Sequence, residues 1–176
     1  MTERERLVAE LLAARAAVLG AIAGLDDAQW RFRPGAGAWS IAENAEHLAL
    51  TARAIGGLVM RTLRAPAGEE PVASPLAERI RARMADRSFR AQVPDTVRPE
   101  GEVGALAEVA ARFGAPRDAL AAFVGDRAHG LTGPRALHPA LGPLDAAEWL
   151  AFLAAHELRH VAQIDEVKRT PGYPRA

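Results

Sequence analysis

The stretch DAAEWLAFLAAHELRHVAQIDEVK, residues 145–168, decides how the rest of the chain is read. Asp145 with Glu148 three residues later forms a capping box, in which each side chain accepts a hydrogen bond from the other residue's backbone N–H, and Leu144 can staple against Trp149. No proline or glycine interrupts the run before Pro171-Gly172, so the pattern predicts one long helix ending near Lys168. At about 100° per residue, Leu153, His156, His160, Ile164 and Val167 all fall within about 60° of Trp149, on one apolar stripe.

The same grammar recurs upstream. Thr2 and Glu5 open a first helix whose Leu7, Val8, Leu11, Leu12, Val18, Leu19 and Ile22 lie at helical spacing, and Gly24 stops it. A turn rich in glycine and proline follows, from Asp26 to Ala38. Ser40 and Glu43 open a second helix with Ile41, Ala45, Leu48, Ala52, Ile55, Val59 and Leu63 as its stripe; Pro66 and Gly68 end it. A third runs from about Glu102 to Asp126, where Gly114 and Pro116 predict a kink or a break. Between the second and third, Ser74-Pro75 reads as an N-cap with proline at the first helical position, opening a short Arg-rich helix through about Arg87. Val93 to Pro99 reads as extended, because each proline pushes its predecessor out of the α region. The stretch holding Gly130, Gly133, Pro134, Pro139, Gly142 and Pro143 reads as a loop.

Four long amphipathic helices can hide their stripes only against one another. The reading is therefore an all-α fold: one domain over residues 1–176, a four-helix bundle with a long crossover connection between helices two and three. Composition agrees, since Ala, Leu, Arg and Glu dominate over the β-branched residues. Twenty-two Lys+Arg balance 22 Asp+Glu, so there is no basic footprint for nucleic acid and no steering toward an anionic membrane. The absence of cysteine excludes disulfides, thiolate metal sites and a cysteine nucleophile. No apolar run reaches the roughly 18 residues of a membrane span, and the start of the chain is not a signal peptide. The expectation is a soluble cytoplasmic protein without nucleic-acid or membrane partners.

The chemistry concentrates in the last helix. His156 and His160 stand one turn apart within the apolar stripe, a spacing at which two imidazoles can bind one metal ion. Burying two polar rings otherwise requires two separate sets of partners. Gln163 lies on the same face and could bond to a ligand or a bound water. Glu157 completes the letters H-E-x-x-H, which in metalloproteases supply two zinc ligands and a general base. An all-helical bundle lacks the strand edge that would hold an extended peptide, so Glu157 is more simply a surface charge or a group supporting the ligands. Glu157 and Gln163 are nonetheless the candidates for a catalytic contribution. A third ligand must come from His47, His129 or His138. His129, beside Gly130, and His138, before Pro139, read as loop residues without fixed geometry. His47 lies about 120° from the centre of its helix's stripe, toward Asn44, Thr51 and Leu58, and spacing alone does not select it.

Residues 38–48, AWSIAENAEHL, resemble the W-S-I-x-E-x-x-x-H-L signature of the DinB-like (YfiT-like) four-helix bundle superfamily. His138-Pro139, Gly142-Pro143-Leu144, Glu148-Trp149-Leu150, His156, Arg159, His160 and Gln163-Ile164 are similar to its C-terminal half. The prolines at 94 and 99 fit its crossover. The resemblance implies a divalent metal ion (nickel, zinc or iron) held by His47, His156 and His160. Three neutral imidazoles leave coordination positions open for water or substrate. It also implies a small-molecule substrate, and reactions that range from S-transfer with low-molecular-weight thiols to hydrolysis.

Three readings follow: a metal-dependent enzyme transferring a thiol or hydrolysing a small molecule, a non-catalytic metal-binding or stress-associated bundle, and a structural bundle whose histidines bond only to protein. The Arg-rich segment (Arg79, Arg81, Arg83, Arg87 and Arg90) could bind an acidic thiol cofactor, but reads more simply as a solvated helix face offset by nearby acids. A homodimer is expected from the resemblance and from apolar residues off the main stripe of helix two, such as Leu50 and Leu58.

Overall fold

The computed structural model describes residues 1–64, 68–88, 92–100 and 102–175; the expected terminator Pro66 and Arg90 of the Arg-rich segment lie outside them. Among the described residues, four long helices build the bundle: α1 (Glu3–Ile22), α3 (Ile41–Thr62), α5 (Leu106–Gly125) and α6 (Ala146–Arg169). Two shorter ones accompany them, α2 (Asp27–Arg31) and α4 (Pro75–Ala85). Capping boxes close the N-termini of α1, α3 and α6 at Thr2, Ser40 and Asp145, as the sequence predicts. Ser74 caps α4 with Pro75 in its first turn.

Long-range contacts fix the helix directions. Arg4, at the start of α1, donates to the carbonyls of Val124 and Arg127 at the end of α5, so these two helices are antiparallel. Lys168 reaches the carbonyl of Ala21, so α6 runs parallel to α1. Arg112 pairs with Glu46 near the starts of α5 and α3, which makes that pair parallel as well. Two consecutive long helices that point the same way cannot be joined by a short turn. The chain must travel back along the bundle, and this is why the connection from 63 to 105 is a crossover. On the way, α4 packs along α6, and Arg159 of α6 donates to the carbonyls of Met84 and Asp86 at its end. The crossover closes with a 3₁₀ turn, Asp95–Val97, against α3.

The interior is aliphatic. Leu7, Leu11, Val59, Leu120, Leu150 and Leu153 are essentially inaccessible, each such side chain contributing about 1.5–3 kcal/mol of transfer free energy.

Four expectations are corrected. Residues 26–31 are not only turn: Asp26 and Gln29 form a further capping box and open α2, whose Trp30 is buried and donates Nε1–H to the Gly104 carbonyl. The third long helix starts at Leu106 rather than near Glu102, because Trp30 and Arg31 hold the carbonyls of residues 104 and 103 outside it. Of the kink or break expected at Gly114 and Pro116, the break does not occur: the helix runs through both, and the packing of α5 against α1 and α3 outweighs the backbone bond that a proline forfeits. Finally, the stretch before α6, expected to be a loop, holds a small antiparallel hairpin, β1 (Ala136–His138) with β2 (Gly142–Leu144), which leaves the all-α four-helix bundle as expected.

Buried Glu148 ties three elements together. Beyond capping α6 it accepts from Arg135 of the hairpin stem at 2.6 Å and from Ser74 Oγ at the start of α4 at 3.0 Å. Elsewhere, a Cβ at Gly130 would stand 1.9 Å from the Glu69 carbonyl oxygen, so the bridge between Gly68 and Gly130 requires glycine there. No helix of the described residues is long and apolar enough to cross a membrane.

Candidate metal centre

His47 from α3 and His156 and His160 from α6 converge between the antiparallel helices. His156 Nε2 lies 3.3 Å from His47 Nε2 and 3.2 Å from His160 Nε2. One ligand atom from each ring lies within 4.8 Å of those of the other two. His47 and His160 are buried and His156 is half-buried. The reason His47 arrives here, although it stands off its helix's stripe, is that α3 packs on both α5 and α6. It therefore has two buried faces, and the second is the polar flank of Asn44, His47 and Thr51.

Hydrogen bonds on the far side of the rings set the tautomers. His47 Nδ1 is 2.7 Å from the carbonyl oxygen of Val97, which can only accept, so Nδ1 carries the proton. His160 Nδ1 is 2.9 Å from Asn44 Oδ1, and the amide cannot be turned round without losing the bond from Asn44 Nδ2 to the Ser40 carbonyl. Both Nε2 atoms are consequently bare lone pairs directed at His156. A neutral His156 has one proton and can satisfy only one of them. Its own Nδ1 is buried and meets no protein acceptor. Protonation does not relieve the crowding. Burial, reinforced by the neighbouring imidazoles and Arg159, pushes His156 down to about 3, and burial likewise lowers His47 and His160.

A metal ion does relieve it. Two nitrogens about 2.1 Å from one ion at a tetrahedral angle stand about 3.4 Å apart, close to the spacings found here. The acceptors behind His47 and His160 are the outer partners that metal-bound imidazoles ordinarily have. Trp39 lies nearly parallel to the His160 ring at 6.3 Å between centroids, and Phe152 covers His156 at 5.4 Å. Both shield the rings from water.

The remaining candidates separate cleanly. Glu157 is fully buried, but its carboxylate turns away from the histidines: Oε1 lies 2.7 Å from Arg117 Nε of α5. The base that H-E-x-x-H supplies in metalloproteases is thus absent from this site, and the reading of Glu157 as a surface charge is also corrected. Burial pushes that carboxyl up while the guanidinium pulls it back down. Gln163 lines the cavity beside the histidines, and its buried Oε1 has no protein partner. His129 is exposed and distant, its carbonyl holding Arg4. His138 is not the loosely held residue expected. It sits in β1, its Nδ1 accepts from the N–H groups of Ala140 and Leu141, and its ring packs on Trp149 and Phe152. The signal for it was in the sequence: a short β-branched-poor hairpin announced only by Gly142, whose φ of 81° favours glycine. The Arg-rich segment divides: Arg81 pairs with Glu10 and Glu78, whereas Arg83 and Arg87 line the cavity.

The cavity above the histidines has a volume of about 960 Å³, at the upper end of small-molecule sites. Leu58 lines it, which accounts for that residue's position within one chain.

The chain resembles known proteins over nearly its full length. Protein YuaE of Bacillus subtilis (strain 168) is 23% identical over 145 residues, 82% of this chain and 86% of its own. TT2238, described as a four-helix bundle protein, superposes with a TM-score of 0.59 at 21% identity, over 93% of this chain and 98% of its own. YfiT from Bacillus subtilis, described as a probable metal-dependent hydrolase with an unusual four-helix bundle topology, superposes with a TM-score of 0.61 at 16% identity, over 97% of this chain and 89% of its own. Those two structures share the fold. The family model described as the DinB superfamily matches residues 10–164, and with the bundle and its three convergent histidines on view, the chain belongs to that superfamily.

Proposed function

We propose that this protein is a divalent-metal-dependent enzyme acting on a small molecule, with His47, His156 and His160 as the metal ligands. The observation that carries the reading is the pair of locked tautomers, which leaves three Nε2 atoms crowded together with at most one proton among them. A bound divalent ion would lower the pKa of a water or hold a thiol as its thiolate. The chain's own residues do the rest. Val97 and Asn44 orient two of the imidazoles, Trp39 and Phe152 keep water from their faces, and Gln163 offers an unpartnered carbonyl oxygen beside the site.

Of the two reactions, thiol S-transfer is better supported than hydrolysis. Hydrolysis gains from a carboxylate base, and the only carboxylate among the described residues lining the cavity is Glu166, which is held by both Nε and an Nη of Arg87. A metal-bound thiolate needs no such base. The same scarcity of acid–base groups favours, as a second reading, a non-catalytic metal-binding or stress-associated bundle. Metal analysis of protein purified without an affinity tag, followed by thiol-transfer and hydrolysis assays of the wild type and His160→Ala, tests both. Metal-dependent turnover supports the enzyme; stoichiometric metal with no turnover across a broad thiol-transfer screen supports the second reading. A cytoplasmic location and a homodimeric assembly complete the proposal, the latter checked by sedimentation at micromolar concentration.

A further inference from the structure

Residues 92–100, the last stretch of the crossover, are tied to the bundle by a single hydrogen bond. None of their side chains is buried. Among the described residues, their other hydrogen bonds stay within the segment: the Val97 and Arg98 N–H groups donate to the Pro94 and Asp95 carbonyls, and the Arg98 guanidinium to Asp95 and the Val93 carbonyl. The bond that leaves it runs from His47 Nδ1 to the Val97 carbonyl, at 2.7 Å. Yet Val93, Pro94, Thr96 and Val97 line the cavity that holds the histidines. The hairpin lines it too, but is anchored through Arg135 to Glu148 and by the packing of His138 on Trp149 and Phe152. Part of the cavity wall therefore hangs on an imidazole whose other nitrogen belongs to the metal centre.

The two nitrogens of that ring are coupled. The cluster has at most one proton for its three Nε2 atoms, and moving the His47 proton from Nδ1 to Nε2 would ease the crowding. It would also strip the Val97 carbonyl of its donor. Without an ion, the histidine cluster and the crossover compete for one proton. An ion on Nε2 ends the contest: it fixes the proton on Nδ1 and, by drawing charge from the ring, makes that N–H a stronger donor. We propose that metal binding at the three histidines fastens residues 92–100 as a wall of the cavity, so that the ion completes the small-molecule site as well as supplying its chemistry. The proposal rests on the metal-binding part of the function proposed above and deepens it with a regulation of the same site. By linkage, whatever loosens the crossover weakens ion binding by the same factor as the ion tightens it.

The test is amide hydrogen exchange of the whole chain by NMR, with zinc and after chelation, on samples whose zinc stoichiometry is measured by calorimetry. The Val97 and Arg98 amides, both hydrogen-bonded within the turn, should exchange about tenfold more slowly with zinc. The Ala140 and Leu141 amides, bonded to His138 in the hairpin, should change by less than about twofold, which separates a local effect from a general gain in stability. From the other side, Pro94→Gly with Pro99→Gly frees the two fixed φ angles that flank the turn and touches no ligand. Its zinc affinity should fall several-fold in competition with a chromogenic chelator. Should circular dichroism show that variant unfolded, Thr96→Gly, at an exposed position within the turn, takes its place. Zinc bound at one per chain with the turn's exchange unchanged, or slowed only as much as the hairpin's, overturns the proposal and leaves the metal centre standing. Undiminished zinc affinity in the loosened variant does the same. A chain that binds no zinc overturns both, and calorimetry tells these cases apart.

Discussion

His156 and Glu157 are neighbours in the chain and opposites in the fold. About 100° of helical rotation separates them. That turn sends His156 toward α3, into a cluster with at most one proton for its three Nε2 atoms, and Glu157 toward Arg117, into a buried pair of opposite charges. Both are costly to bury, and the costs are met differently. The ion pair finds its counter-charge within the chain, even though Arg117 Nη1 has no hydrogen-bond partner there; the histidine cluster has more lone pairs than the chain has protons to offer them.

The contrast can be broken most sharply at the ligands. His160→Ala should reduce metal content from about one ion per chain to near none, measured by plasma mass spectrometry, while circular dichroism stays helical. An unchanged metal content would remove the distinction altogether.

Glu157→Gln should do the reverse. It leaves the Arg117 charge buried without its counter-ion, which costs about 3–5 kcal/mol in urea unfolding, while the folded fraction keeps its metal. Replacing both partners, Arg117→Leu with Glu157→Leu, should recover most of that loss, because the desolvation cost leaves with the pair.

Chelation should move stability in the wild type by a smaller amount. Metal at a hundredfold excess over Kd stabilises the folded state by about 2.7 kcal/mol, so the melting temperature should fall on chelator addition and return with zinc. The same treatment should leave His160→Ala unaffected, and a shift there would place the stabilising ion elsewhere.

The finest test is Asn44→Ala, which removes the acceptor behind His160 and frees its tautomer. Metal affinity should drop about 10–100-fold with all three ligands still present. Competition with a chromogenic chelator measures it; unaltered affinity would mean that the tautomer is set by the ion alone.

Much of this was legible beforehand because the signals are local. Caps such as Asp145 with Glu148 act across three residues, and the pairing of His156 with His160 needs only the pitch of one helix. The short helix α2 was equally legible in Asp26 and Gln29, and was obscured by the glycines and prolines that follow it. The hairpin holding His138 was harder to see, since strands of three residues carry too little alternation to register. Family resemblance, not helical spacing, pointed to His47.

What the order of residues settles unaided in this protein is where the capped helices α1, α3, α4 and α6 begin, and that two imidazoles share one face, because both depend on interactions within a single turn. Which face of α3 meets α6, that the crossover brings the Val97 carbonyl behind His47, and that Glu157 looks toward α5 were decided only by the packed bundle. Those facts depend on the register between segments 40 to 109 residues apart in the chain, and periodicity along one helix carries no information about its neighbour.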